Sequence, residues 1–140
     1  MVVYAESSAV IAWLLNDPPG VSVLDILRSA ERVVSSSLTS VECAKSLTRV
    51  RVMGRVTMTE ELAALQLFEG AESSWVIQDL DARVLARARE PMPADPVRTL
   101  DALHIATASV LRDGLGPITM LSLDDRVRMC AQGLGFTVLP

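Results

Sequence analysis

Val2-Val3-Tyr4-Ala5-Glu6-Ser7-Ser8-Ala9-Val10-Ile11-Ala12-Trp13-Leu14-Leu15 is the stretch on which the fold turns. Its first four residues form an apolar run too short for a helix and suited to a strand buried on both sides. A hydroxyl at Ser7 or Ser8 then offers an N-cap, and Ala9, Ile11, Trp13 and Leu15 carry a helix as far as Asn16-Asp17-Pro18-Pro19-Gly20. A strand that runs straight into a helix is the opening of a βα unit, and the same alternation recurs along the chain.

A second helix is expected over about Val21 to Glu31, a strand over Arg32 to Ser35, and a helix capped by Thr39 that ends near Met53-Gly54. Thr59, with Glu60 and Glu61 placed to suit the dipole, opens another helix. Trp75-Val76-Ile77 is the third strand, and Asp79 or Asp81 starts a helix that ends before the Pro91-Met92-Pro93 loop. Thr99 caps a helix to about Arg112, broken by Gly114 and Gly116-Pro117. Ile118 to Leu121 is the fourth strand, Asp124 to Gln132 a helix with Gly133 near its end, and Phe136 to Leu139 the last strand. The pattern predicts an α/β fold, a mostly parallel five-stranded sheet with helices on both faces, in one domain over residues 1–140.

Composition bounds the function. Half of the 140 residues are hydrophobic, yet the longest apolar run, Ala9 to Leu15, is far short of the roughly 20 residues a bilayer needs. Mean hydropathy is +0.35, which doubly covered strands account for without a membrane. The start of the chain shows no signal-peptide pattern, and a cytoplasmic location is expected. Cys43 and Cys130 have no CxxC spacing and the chain holds one histidine, so a zinc site is not expected and the thiols read as structural. A net charge of -4 excludes binding of nucleic acid chiefly through a broad basic surface, but not a nuclease built around a metal site.

In open parallel sheets, ligands sit beyond the carboxyl ends of the strands, near the point where strand order reverses. Glu6 follows the first strand and Asp124 the fourth. Glu42 and Asp101 are expected in the first turns of the helices opened by Thr39 and Thr99, where the dipole favours carboxylates. Any one of these acids has an ordinary structural explanation. Four at one rim repel each other unless protons or a cation compensate, and magnesium, which takes oxygen ligands and binds beside phosphates, suits them. Such a site would hydrolyse phosphodiesters.

Val3-Tyr4-Ala5-Glu6-Ser7-Ser8-Ala9 resembles the opening of PIN domains. Leu38-Thr39-Ser40-Val41-Glu42 resembles their second acidic motif, and Arg98-Thr99-Leu100-Asp101-Ala102-Leu103-His104-Ile105-Ala106-Thr107-Ala108 closely resembles the third. Leu121-Ser122-Leu123-Asp124-Asp125-Arg126-Val127, with Ala131 and Leu134-Gly135-Phe136, resembles the last acid and the close of the fold. The resemblance implies a ribonuclease toxin of the VapC type, dependent on Mg2+ or Mn2+, usually a homodimer, cutting RNA and inhibited by a VapB-like antitoxin. On that likeness Glu6, Glu42, Asp101 and Asp124 match the catalytic, metal-ligating acids, with Asp125 an alternative to Asp124, and Ser8 matches the hydroxyl that supports the first acid. The family usually has aspartate where this chain has Glu6, whose arm is longer by about 1.5 Å. Two readings follow: a working ribonuclease, or a catalytically impaired domain kept to bind antitoxin or RNA.

His104 lies three residues after Asp101 and shares its face; a half-buried histidine bonded to a neighbour explains it more simply than a catalytic base. Lys45 and Arg49, on the Glu42 face, could meet phosphates, or Lys45 could pair with Glu42. The apolar girth of the first helix, with Trp13, Leu14 and Leu15, reads as core, with any excess available to a partner. A phosphorelay receiver is disfavoured, because Glu6 has no acidic neighbour and the only lysine is Lys45. No glycine-rich phosphate loop appears.

Overall fold

Strand β1 (Val2–Ala5) lies at the centre of a five-stranded parallel sheet of order β3-β2-β1-β4-β5. The computed structural model describes all residues, Met1 to Pro140. β2 (Arg32–Ser36) and β3 (Val76–Gln78) extend the sheet on one side of β1, and β4 (Ile118–Leu121) and β5 (Thr137–Leu139) on the other. Strand order therefore reverses between β1 and β4, whose last residues, Ala5 and Leu121, are in register.

Alternation along β1 assigns the two faces. Val3 and Ala5 join one core with α1 (Ser7–Leu14), α2 (Gly20–Ser29), α3 (Ser37–Val52) and α4 (Met58–Glu72), through Val10, Val23, Leu47 and Phe68. Tyr4 points to the other, formed with α6 (Thr99–Leu115) and α7 (Asp125–Gly133) through Ile105, Met120 and Val127. Short α5 (Ala82–Ala88) packs on α6. The expected two-faced sheet is thus present because each central strand is apolar on both sides. Cys43 and Cys130 are free and buried, one in each core, and burial pushes both thiols up in pKa.

The helix starts differ from those expected, because several hydroxyls are committed to tertiary bonds. Neither Ser7 nor Ser8 caps α1. Glu6 holds the N-cap position but its side chain accepts from no backbone amide of the helix, and Ser7 is the first helical residue. Ser36, not Thr39, caps α3, accepting from the Leu38 amide at 3.1 Å. Thr39 lies inside the helix and accepts from Ser35 Oγ at 2.9 Å. Glu42 consequently falls in the second turn, beyond the reach of most of the dipole's benefit.

Thr57, with Glu60, forms the capping box of α4, and Thr59 is interior. Asp81 rather than Asp79 caps α5. Thr99 is the first residue of α6 rather than its cap, the N-cap position being held by Arg98 without a capping side-chain bond. α6 continues through Gly114, since a glycine in a helix costs only about 1 kcal/mol, and ends where Gly116 adopts φ 84°. Trp75 lies just before β3, edge-on to Phe68 at 6.0 Å, and Phe136 enters the core rather than β5.

Trp13 and Leu14 are buried by the chain itself. The apolar surface left open is at the end of this same helix, α1, a groove of about 240 Å³ that Leu14 and Leu15 line together with Val56 and Leu67. No helix is long and apolar enough to cross a membrane.

Candidate functional site

The crevice between β1 and β4 opens at the carboxyl rim of the sheet, where an α/β fold places its ligands. The backbone amide of Glu6 donates to Leu121 O at 3.0 Å, so the chain leaving β1 stays bonded to the end of β4. Glu6, Glu42, Asp101 and Asp124 all line one cleft here, of about 340 Å³. Asp125 does not line this cleft; it borders a neighbouring hollow with Arg98, Arg126 and Met129. Lys45 and Arg49 are exposed, and neither lines the cleft.

Each acid is held differently. Glu6 is buried, and its Oε2 accepts from Ser8 Oγ and, at 2.7 Å, from Ser122 Oγ. Ser8 Oγ in turn accepts from the Leu123 amide at 2.9 Å, and Ser122 Oγ from the Asp124 amide at 3.1 Å. Ser8 and Ser122 thereby tie the end of β1 to the loop after β4, and Ser8, one of the two hydroxyls expected to cap α1, is used here. The longer arm of Glu6 is accommodated by folding its carboxylate onto this pair.

Glu42 accepts from Ser7 Oγ at 2.6 Å and from His104 Nε2 at 2.5 Å. Burial raises its pKa, but the bonds from His104 and Ser7 outweigh burial and hold it below the usual glutamate range. His104 is not half-buried but fully so, with Nδ1 2.8 Å from Tyr4 Oη and Nε2 also 2.8 Å from Ser7 Oγ. Burial, with the charges of Glu6 and Glu42, pushes the Tyr4 pKa well above the usual phenol value. Tyr4 therefore stays a phenol with a hydroxyl hydrogen to give to Nδ1, and Nε2 is the ring nitrogen that faces Glu42.

Asp101, in the first turn of α6, and Asp124, the cap of α7, share a partner absent from the expected site. Arg98 Nε donates to Asp101 Oδ2 at 2.8 Å, and its terminal NH2 to Asp124 Oδ2 at 2.9 Å. Asp124 Oδ1 is committed to the helix, accepting from the amides of Arg126 at 2.9 Å and Val127 at 3.3 Å. Hydrogen bonds to Asp101, its charge, and the charge of Asp124 raise the Arg98 pKa above its usual value. The three-residue spacing from Arg98 to Asp101 was visible in sequence; its second contact was not.

The four acids share a cleft without converging. No three His, Cys, Asp or Glu side chains stand at metal-ligand spacing around a common point, because each carboxylate is turned onto a protein donor. The repulsion expected of four clustered acids is met here by three serines, one histidine and one guanidinium.

An all-parallel sheet of this order, with acids from separate segments gathered at the reversal point, defines a known class of α/β domain. The profile of the PIN domain matches residues 3–128, and the chain belongs to that family. It is 32% identical over 137 residues to Ribonuclease VapC46 of Mycobacterium tuberculosis, covering 98% of this chain and 95% of the relative. It is 30% identical to Ribonuclease VapC35 of the same species, covering 99% and 96%. In fold it is similar to a chain in the structure of FitAB bound to an IR36 DNA fragment, with a TM-score of 0.70, 17% identity and coverage of 99% and 94%. PAE2754 from Pyrobaculum aerophilum gives a TM-score of 0.63 at 18% identity, covering 98% and 82%.

Proposed function

We propose that the chain is a divalent-metal-dependent endoribonuclease, the toxin of a type II toxin-antitoxin pair of the VapBC kind. The observation that carries this reading is the meeting of Glu6, Glu42, Asp101 and Asp124, from four separated segments, in one cleft at the β1–β4 reversal. The ribonuclease relatives supply the substrate class, RNA.

The donor set suits Mg2+, or Mn2+ in its place: the four side chains offer only carboxylate oxygens, and both cysteines are buried in the cores. Glu6, Glu42, Asp101 and Asp124 would hold the metal, with Ser8 supporting Glu6. A cation bound there supplies Lewis-acid polarisation of a phosphodiester and activation of water for its hydrolysis.

The protein's own part is positional. Ser8 and Ser122 fix Glu6 against the end of β4. Ser7 and His104 fix Glu42, which comes from the far side of the cleft on α3. Asp101 and Asp124 are oriented by rigid helix starts, so the acids need side-chain rotation rather than backbone movement to turn inward.

An antitoxin resembling VapB and a homodimeric state complete the proposal, in a cytoplasmic setting. The open groove by Leu15, Val56 and Leu67 is an apolar surface of the kind a partner helix covers. The second reading, a domain that binds antitoxin or RNA without cutting, is favoured by one observation: the acids do not converge.

Purified protein, freed of any antitoxin, decides between them when incubated with RNA in Mg2+ and in EDTA. Cleavage that appears with Mg2+ and vanishes with EDTA is expected of the nuclease. RNA left intact in both, by folded protein, supports the binding module.

A further inference from the structure

Asp101 is buried and its carboxylate has one side-chain partner, Arg98. Asp124 comes from a loop 23 residues further on, and the same guanidinium spans to it. Glu6 and Glu42 are bonded to serine hydroxyls and to His104. Arg98 is therefore the only fixed positive charge lining the cleft, and it lies where the two aspartates face each other. A planar fork with donors on two edges satisfies two carboxylates together, as a divalent cation does. The Arg98 side chain itself is about half exposed, at 54%, so it can leave without disturbing a core.

We infer that Arg98 is a tethered counter-cation that holds Asp101 and Asp124 when the cleft is without metal, and that a divalent cation must displace it from Asp124 to engage both aspartates. This inference rests on the metal-site reading above and concerns the same carboxylates. Asp124 Oδ1 caps α7, which leaves Oδ2, the atom Arg98 occupies, as the oxygen free to turn toward a ligand. At Asp101, Arg98 takes Oδ2 and leaves Oδ1 without a side-chain partner. Arginine and metal thus compete for Asp124 Oδ2, and the strength of that contact lowers the apparent affinity for metal. The exchange also explains how four acids share one cleft in a stable fold, since neither state leaves the two aspartates unopposed.

The test is a titration of the full chain with Mn2+, reading free Mn2+ by its paramagnetic resonance signal, on the parent, Arg98→Gln and Arg98→Lys. Melting temperatures are recorded alongside in EDTA and in Mn2+. Arg98→Gln is expected to bind Mn2+ about fivefold more tightly, the effect of removing a competing exposed contact. It should melt lower than the parent in EDTA and gain more from added Mn2+. Arg98→Lys, which keeps the charge but loses the fork, should fall between the two. If Arg98→Gln fails to fold, Arg98→Lys decides in its place, with tighter binding than the parent supporting the inference.

Equal or weaker binding by the variants, with the parent binding Mn2+, overturns the inference and leaves the metal site standing: Arg98 would then hold the aspartates in place for the metal. No binding by any of the three proteins overturns the metal-site reading, and the inference with it.

Discussion

Replacing His104 by phenylalanine isolates the energetic role of the histidine from its shape. The ring volume is nearly kept, as is the edge-on packing against Tyr4 at 6.0 Å between centroids, while three polar contacts disappear. Tyr4, fully buried, loses its hydrogen-bond partner at His104 Nδ1. The Thr107 and Ser36 hydroxyls remain beside it, so the buried phenol loses its 2.8 Å partner rather than all pairing, at a cost within about 1–3 kcal/mol. Glu42 loses the donor at His104 Nε2 but keeps Ser7 and is 24% exposed, so water replaces part of that bond, and its share is about 1 kcal/mol. The sum, about 2–4 kcal/mol, corresponds to a fall of about 1–2 M in urea midpoint for an m-value near 2 kcal/mol/M. Tyr4→Phe supplies the control. Added to His104→Phe it removes that hydroxyl, so a double-mutant cycle should show coupling of about 1 kcal/mol or more. A loss below about 1 kcal/mol for His104→Phe, or additive single and double variants, would refute the network as described.

Two further perturbations test other parts of the structure. Glu42 has a folded-state pKa below the usual glutamate range, so its contribution to stability is fully present above the unfolded-state pKa and is lost as pH falls through the folded one. In EDTA, the stability gap between the parent and Glu42→Gln should accordingly be widest near neutrality and close on acidification; a gap that widens in acid contradicts the assignment. At Gly20, a Cβ would meet Ala12 O at 2.5 Å and Trp13 Cα at 2.8 Å, both backbone atoms. Gly20→Ala should therefore cost about 1–3 kcal/mol by forcing α1 and α2 apart, and a melting temperature equal to the parent's would show that the close approach is not needed.

What could be read from sequence followed the range of the interaction. Val2 to Leu15 announced a strand feeding a helix, because burial on two faces and helical periodicity are written locally. Asp101 in the first turn of α6 was legible for the same reason. The hydroxyl caps were not: Ser8 has the chemistry of an N-cap but takes the Leu123 amide from across the fold as well as neighbouring Glu6, and Thr39 bonds Ser35 four residues back while Ser36 takes the cap. That displacement moved Glu42 out of the first turn and made its setting a matter of Ser7 and His104. Ser122 and Arg98 escaped notice as site residues, because Ser122 meets Glu6 across 116 residues and Arg98 meets Asp124 across 26. Sequence identified repulsion among the acids as needing a cation; only the folded chain reveals that one is already supplied by arginine.

The central claim is that these carboxylates, bearing a divalent cation, cleave RNA. It is tested most directly by comparing RNA cleavage in Mg2+ by the parent and by Asp101→Asn, with both proteins verified as folded. The substitution keeps the size of the side chain and removes the charge that would hold the metal. The account predicts that cleavage falls by more than about a hundredfold, beyond what changes to supporting residues around a metal cost. Cleavage by Asp101→Asn at the parent's rate would contradict it.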